Sequence, residues 1–269
     1  HISLSLSALR PGMLTQEIAE NIMRVRKTGL TLVPEAGTER LRKVINKNIS
    51  EEEIQQAAEY AFSSGWRKIK LYFMVGLPTE KHEDIQGIID TVVNIIRIGY
   101  RELKKSPQIN LSIASFIPKP HTPFQWDGMD PEENLLEKHK FIKSRLKKYR
   151  FVQFKDHSIQ SSMLEAVFSR GDRKLTPVLL NAWENGARFD SWSDCFNFSL
   201  WQTAFAAHGI DIKDYLQSID KEAVLPWEHI DAGINKSYLR KEWDCSRKAE
   251  PTPKCMDRNC SKCKGCSYP

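Results

Sequence analysis

Short, unbroken apolar runs alternate along this chain with longer stretches of helical spacing. The run from Leu71 to Val75 contains no charged residue and no polar alternation, which predicts a strand buried on both faces, as in parallel sheets covered by helices. It ends abruptly at Gly76 and Pro78. Further strands are predicted at Ile2–Leu9, Leu30–Val33, Ile109–Ile117 and Phe151–Phe154.

Helical periodicity fills the intervals between these strands. Ser50 and Glu53 form a capping-box pattern ahead of an apolar face at Ile54, Ala57, Ala58, Ala61 and Phe62. Thr15 is the predicted cap of an earlier helix. Thr79 is the predicted cap of a helix whose first turn carries Glu80, Glu83 and Asp84, and a further helix is predicted from Asp130-Pro131 to about Tyr149.

Alternating strands and helices indicate βαβ units and a parallel α/β sheet. Four such units cannot close an eight-stranded barrel, which needs about 250 residues for all eight. Two folds therefore remain: a doubly wound sheet, or the later part of a (β/α) TIM-like barrel. The chain begins at His1, inside a predicted strand, which favours the partial barrel. The expected domains are the barrel part at 1–155, a mainly helical region at 156–244 whose aromatic residues pack a small core, and a tail at 245–269.

Composition and charge narrow the function classes only slightly. The formal net charge of +6 over 269 residues suits a polyanionic partner without requiring one. No apolar run approaches the roughly 20 residues of a membrane span, and no signal-peptide pattern opens the chain. The sequence therefore predicts a cytoplasmic protein with no membrane partner.

The cysteines are concentrated at one end of the chain. Residues 1 to 194 contain none, Cys195 and Cys245 are isolated, and four lie in the tail at Cys255, Cys260, Cys263 and Cys266. This spacing predicts a four-thiolate site for zinc or an iron-sulfur cluster in a reducing compartment, and does not separate the two metals. Cys245 could replace one ligand, although an ordinary buried cysteine is the simpler interpretation.

Basic residues surround the four cysteines, at Lys254, Arg258, Lys262 and Lys264. They allow an alternative function, an α/β protein whose zinc-ribbon-like module binds RNA or another polyanion.

Two acidic residues mark the ends of consecutive predicted strands. Glu35 follows one strand and Glu80 the next, so both are expected at the edge of the sheet where parallel α/β proteins bind ligands. A carboxylate there can accept hydrogen bonds from sugar hydroxyls or amines, or simply form a salt bridge. A barrel enzyme that uses the two as an acid and base pair is a further alternative.

Three segments in this order resemble successive strand motifs of radical S-adenosylmethionine (SAM) enzymes: Leu32–Lys47, Leu71–Glu80 and Ser115–Trp126. The resemblance is closest to cobalamin-binding radical SAM proteins with a C-terminal cysteine cluster. It implies that Glu35 meets the SAM ribose with Thr38 beside it. It also implies that Lys47 replaces an arginine that commonly holds the SAM carboxylate. Lysine keeps the positive charge but lacks the two-pronged guanidinium that binds a carboxylate through two hydrogen bonds. The strand ends implied to frame the adenine are Gly76, Leu77, Pro78 and Phe116, Ile117, Pro118.

The resemblance also implies cofactors that this chain cannot hold alone. In the family, a [4Fe-4S] cluster on a Cys-x3-Cys-x2-Cys loop reduces SAM, and cobalamin can support methyl transfer. No cysteine precedes Cys195, and the four tail cysteines have a different spacing. The expected identity is therefore the C-terminal portion of a radical SAM enzyme, inactive alone, whose cluster loop and cobalamin domain lie upstream in the same polypeptide.

Overall fold

A parallel four-stranded sheet is the centre of the first part of the chain. The computed structural model describes residues 10–25 and 29–253. The strands are β1 (Leu30–Glu35), β2 (Lys68–Val75), β3 (Gln108–Ser115) and β4 (Val152–Asp156), arranged in the order β1-β2-β3-β4. All three pairings are parallel, and Leu71 of β2 lies between Leu32 and Leu111. The predicted strand at Ile2–Leu9 lies outside the described residues.

Helices connect successive strands, which confirms the predicted βαβ grammar. The connecting helices are α2 (Glu39–Val44) and α3 (Glu51–Ser63), then α4 (His82–Leu103), then α5 (Glu132–Leu146), while α1 (Gln16–Val25) precedes β1. Ser50 and Glu53 form the predicted capping box of α3, and the Thr15 hydroxyl accepts the Ile18 N–H at 3.2 Å before α1. The four parallel strands in chain order are consistent with part of a radical SAM-type β/α barrel.

The start of α4 differs from the prediction. Lys81, not Thr79, is the N-cap residue, and its N–H donates to the Asp84 carboxylate at 2.8 Å. Thr79 has a left-handed backbone (φ 62°), and the Glu80 N–H closes a turn onto the Leu77 carbonyl at 3.0 Å. Thr79 and Glu80, which the sequence placed at the start of the helix, therefore belong to the turn that precedes it.

Burial along β2 also corrects the sequence interpretation. Leu71, Phe73 and Val75 are fully buried, whereas Tyr72 and Met74 between them are half-buried. One face of β2 therefore packs in the core, and the other is covered less completely than the unbroken apolar run predicted. By register, Asn110 and Ser112 of β3 share that second face, opposite Lys70 and Tyr72. The second face is consequently more polar than the first.

The chain forms two compact units. Of the described residues, the first contains 10–25, 29–115, 133–157 and 245–252, and the second contains 116–132 and 158–244. Helices of the later chain are α6 (Ile159–Arg170), α7 (Thr176–Glu184), α8 (Phe198–Ala207), α9 (Ile212–Leu216) and α10 (Lys236–Arg247). Short 3-10 turns occupy Pro11–Met13, Pro123–Trp126 and Arg173–Leu175.

Aromatic residues of the second unit divide into two groups. A cluster of Trp126, Leu225, Trp227 and Leu239 is buried, as are Phe198, Trp201 and Phe205. The expectation that these aromatics pack a core is wrong for three side chains, because Trp183, Phe189 and Trp192 are 55%, 76% and 67% exposed. Composition alone does not say which aromatics face solvent. Within residues 10–25 and 29–253, no helix combines the length and the apolar character that crossing a membrane requires.

Candidate functional site

Glu35 ends β1 in a backbone conformation that glutamate seldom adopts. Its φ is 71°, in the left-handed region, and the regular pairing with β2 is interrupted between Leu32 and Glu35. Pro34, which lacks an N–H, lies in this irregular stretch. Such conformations cost about 1–3 kcal/mol and are concentrated at functional sites.

The end of α2 returns Lys47 to this carboxylate. Asn46 adopts a left-handed conformation (φ 53°), and the Lys47 N–H donates to the Arg42 carbonyl at 2.8 Å, the hydrogen bond that closes a Schellman-type helix end. The Lys47 ammonium then lies 3.0 Å from Glu35 Oε1. Both side chains are about one-quarter exposed, at 23% and 26%. The pair is therefore accessible from the carboxyl edge of the sheet.

In the turn after β2, Glu80 is held by a backbone N–H and an ion pair, unlike Glu35. Gly76, at φ 81°, donates its N–H to both carboxylate oxygens of Glu80 at 3.0 Å, and Lys138 of α5 forms an ion pair with Oε1. The Glu80 side chain is only 3% exposed, and Leu77 and Pro78 of the same turn are buried as well. Glu80 therefore supports the turn from within.

Burial raises the pKa of Glu80 above its ordinary value of 4.5. The hydrogen bond and charge of Lys138 and the backbone N–H groups of Gly76 and Leu77 act in the opposite direction without cancelling it. Glu52, in the exposed first turn of α3, has a lowered pKa because backbone N–H and Ser50 hydrogen bonds favour its charged form. The two carboxyl groups consequently have opposite effects on the pH dependence of stability.

We expect wild-type protein to lose stability relative to the Glu80→Gln variant as pH rises above 4.5. Below that value Glu80 is protonated in both states. Above it the unfolded chain ionises first, so stability is lost until pH passes the raised folded pKa. Urea titrations at pH 3, 4, 5, 6 and 7 measure the difference. Glu52→Gln is the matched control: because the folded pKa of Glu52 is lowered, wild type should gain stability relative to this variant as pH rises from 3 towards 5. Identical trends for both variants would contradict the assignment.

Asp84 connects the segment that follows β1, from Glu35 to Thr38, with the segment that follows β2, from Gly76 to Glu80; we call these the β1 corner and the β2 corner. It is 2% exposed, accepts the Thr38 hydroxyl and pairs with the Arg40 guanidinium, and it caps α4 through Lys81. Thr38 also accepts the Leu41 N–H at 3.2 Å as the N-cap of α2, and Arg40 donates to the Thr79 carbonyl at 2.9 Å. One buried carboxylate thus fixes the chain after β1 to the chain after β2.

Two glycines allow these segments to touch. A Cβ on Gly37 would lie 2.1 Å from the Asp84 carbonyl oxygen and 2.4 Å from the Ile88 nitrogen, and a Cβ on Gly87 would lie 2.5 Å from the Gly37 carbonyl oxygen. Backbone meets backbone at this point, so no side chain can move aside. The close approach is the geometric reason for glycine at both positions.

Arg42 holds the same corner from the opposite side. It is 1% exposed, donates to the Ala36 carbonyl at 3.2 Å, and pairs with Glu51 at the start of α3 at 3.1 Å. Arg42 and Asp84 together hold the residues that immediately follow Glu35. The position of the Glu35 carboxylate is therefore set by surrounding buried groups, a feature typical of pre-organised binding sites.

The structure brings together most of the sequence-predicted SAM residues of the first unit. Glu35 and Lys47 pair directly, while Gly76, Leu77 and Pro78 form the adjacent corner on the neighbouring parallel strand. Thr38 lies in the β1 corner, with its hydroxyl engaged by Leu41 and Asp84. Sequence reasoning did not find Arg40, Arg42, Lys138 or the linking role of Asp84. The Gly37 and Gly87 pair is the one signal that could have suggested the contact.

The remaining predicted site residues belong to the second unit or fall outside the described residues. Phe116, Ile117 and Pro118 follow β3 and belong to the second unit, where Phe116 packs edge-on against Phe124 with ring centroids 5.7 Å apart. Cys255, Cys260, Cys263 and Cys266 lie outside the described residues. Cys245 is partly buried and Cys195 exposed, and the described ranges contain no cluster of three or more His, Cys, Asp or Glu side chains suited to a metal.

Comparison with known families bears on these two corners. Residues 1–92 match the radical SAM superfamily. The radical SAM domain match therefore includes β1, α2, α3, β2 and the first half of α4, and with them Glu35, Lys47, Gly76, Glu80 and Asp84. It ends before β3. The paired corners lie wholly inside the matched segment.

One curated protein is similar to this chain over a longer stretch than residues 1–92. The chain is 36% identical over 179 residues to the uncharacterized protein MJ0966 of Methanocaldococcus jannaschii. The alignment includes 66% of this chain and 37% of the relative, so the chain spans little more than a third of the relative's length. Nothing in that protein's name describes a substrate or a reaction.

Proposed function

We propose that this chain is the C-terminal portion of a radical SAM enzyme and that its β1 and β2 corners bind SAM. The observation that carries the proposal is Glu35, an accessible carboxylate held in a strained conformation at the carboxyl end of a parallel strand, inside the radical SAM match. The adjacent Gly76 corner supports it, because the two strand ends are neighbours in one sheet.

The residues of the first corner fit a nucleoside-containing ligand. Glu35 Oε1 is paired with Lys47, and within the described chain no hydrogen bond engages Oε2, which leaves an acceptor for ribose hydroxyls. Lys47 orients the carboxylate through its 3.0 Å contact. We therefore assign Lys47 a positioning role toward Glu35 in addition to the implied contact with the SAM carboxylate. When bound beside a reduced [4Fe-4S] cluster that gives it one electron, SAM would supply a 5′-deoxyadenosyl radical and release methionine.

The described residues do not fit the radical cluster. Cys195 and Cys245 are isolated, and no cysteine precedes them in the sequence. We propose that the Cys-x3-Cys-x2-Cys loop is supplied upstream in the same polypeptide, as is any cobalamin domain that would support methyl transfer. No step of the reaction is assigned to the residues of this chain beyond binding and orientation of SAM.

The four tail cysteines are proposed to hold zinc or a second iron-sulfur cluster. Thr252, three residues before Cys255, exchanges two hydrogen bonds with Asn46, at 2.7 and 3.1 Å. Asn46 is the residue before Lys47, so the chain leading to the tail is attached beside the Glu35 corner.

A catalytic acid and base pair of Glu35 and Glu80 has less support than SAM binding. Glu80 is almost fully buried, and its carboxylate oxygens accept the Gly76 N–H and pair with Lys138. A catalytic acid or base must reach the proton that it transfers. We therefore assign Glu80 to the support of the corner.

We expect Glu35→Gln to weaken SAM binding about 10- to 100-fold, because hydrogen bonds to a charged acceptor contribute about 1.5–3 kcal/mol. Equilibrium dialysis of the anaerobically reconstituted full-length protein measures the change. Glu165→Gln is the matched control, since it breaks a more exposed Lys119–Glu165 pair in the second unit and should leave affinity unchanged. Equal SAM affinity for wild type and Glu35→Gln, with an unchanged melting temperature, would refute the assignment.

A further inference from the structure

A basic groove lies between α5 and β4, which we call the α5–β4 groove. Its volume is about 680 Å³. Four cationic side chains line it, Lys140, Lys143, Lys147 and Arg150, with the rings of Tyr149 and Phe154 among its apolar residues, and no carboxylate is among the lining residues. All of these residues belong to the first unit.

The charge of the groove exceeds what the helix itself requires. Helix α5 begins with Glu132 and Glu133 and carries Lys143 and Arg145 in its last turn, the distribution that favours a helix dipole. The basic run nevertheless continues beyond the helix end into Lys147, Lys148 and Arg150, all exposed. Like charges repel at such spacing, so this continuation costs stability unless an anion is present.

Apolar and aromatic surface lies between the cations. Leu136 is 52% exposed, and Tyr149 is half-buried with its ring 5.9 Å from that of Phe151. The Lys148 ammonium lies 5.2 Å from the centre of the Tyr149 ring. The groove thus has the partly exposed Tyr149 ring and four cationic side chains among its lining residues.

From this combination we infer that the α5–β4 groove binds a segment of single-stranded nucleic acid. Cations that follow a phosphate backbone, together with aromatic rings on which bases stack, are the two features that proteins use for single strands. The proposal does not depend on SAM or on a cluster.

Other occupants match the groove less well. The tail of this chain carries Lys254, Arg258, Lys262 and Lys264, so its charge has the same sign as the groove. An acidic peptide would pair with the cations but brings no nucleobases to stack on the Tyr149 ring. An anionic membrane surface would not fit into a concave groove. These two ligands provide the alternative outcomes of the experiment.

The test is fluorescence anisotropy with a labelled 12-nucleotide oligouridylate and the 269-residue chain. Four phosphate contacts predict a slope of about −2.8 for log affinity against log salt concentration, so affinity should fall about 50-fold between 50 and 200 mM salt. Lys140→Glu with Lys147→Glu should weaken binding at least tenfold and reduce the slope by about 1.4. Lys174→Glu with Lys213→Glu makes the same charge change at exposed positions of the second unit and should leave binding within twofold.

The ring is tested separately. Tyr149→Leu should weaken binding about tenfold, whereas Tyr149→Phe, which keeps the ring, should bind as wild type. Circular dichroism melts of all variants verify folding. The proposal is overturned if the oligonucleotide does not bind, or if the α5–β4 groove variants bind like the control. Three further results overturn it: Lys262→Glu with Lys264→Glu alone abolishes binding, polyglutamate competes as strongly as oligouridylate, or anionic phosphatidylserine vesicles bind more tightly.

Discussion

Gly37→Ala should lower the free energy of unfolding by about 3 kcal/mol, at the upper end of the usual cost of overpacking. The added methyl would lie 2.1 Å from the Asp84 carbonyl oxygen and 2.4 Å from the Ile88 nitrogen, both backbone atoms of α4. Relief therefore requires the whole helix to move away from the β1 corner. The corresponding fall in melting temperature is roughly 6–12 °C.

Urea denaturation followed by far-ultraviolet circular dichroism measures this loss. Gly29→Ala is the matched control, because among the described residues a Cβ there meets only Lys70 Cε, at 3.8 Å. The control should change the free energy of unfolding by less than about 1 kcal/mol. If Gly37→Ala had the same free energy of unfolding as wild type, the two corners would not be in close contact.

Asp84→Ala should cost about 3 kcal/mol for a different reason. The substitution leaves the Thr38 hydroxyl and the Lys81 N–H without their acceptor and removes the charge that pairs with Arg40. Breaking a buried pair from one side typically costs about 3–5 kcal/mol. The lower end applies because the Arg40 side chain is 36% exposed and regains water when released.

The same helix provides the control for Asp84. Asp90→Ala removes an exposed carboxylate whose bond is to Gln86 one turn away, at 2.9 Å, and should cost less than about 0.5 kcal/mol. Asp84→Asn keeps the shape and should fall between the two. Equal stability of Asp84→Ala and Asp90→Ala would show that the link between the corners contributes nothing.

Local sequence signals predicted the elements because each depends on neighbouring residues. The capping box at Ser50 and Glu53 and the periodicity of α3 are read within one or two turns. The parallel order follows from strands separated by helices. The prediction of Thr79 as a helix cap was wrong because the turn after Gly76 places this residue in a left-handed conformation. Local preference gave way to the geometry of the turn.

The contacts of the site could not be predicted in the same way. Thr38 and Asp84 are 46 positions apart, and Lys138 and Glu80 are 58 apart. Whether such residues meet depends on sheet register and helix packing, which periodicity does not encode. The exposure of Trp183, Phe189 and Trp192 likewise depends on where the neighbouring helices lie. The resemblance to radical SAM strand motifs gave Glu35 as a candidate but did not predict the residues that hold it in place.

Hydrogen exchange of the reconstituted full-length protein, with and without SAM, tests the central claim most directly. SAM should slow exchange in peptides covering residues 33–41 and 75–81, the two corners that Asp84 joins. Glu35→Gln should remove that protection at equal SAM concentration. If saturating SAM leaves both segments unchanged while dialysis shows that it is bound, these corners do not form its site.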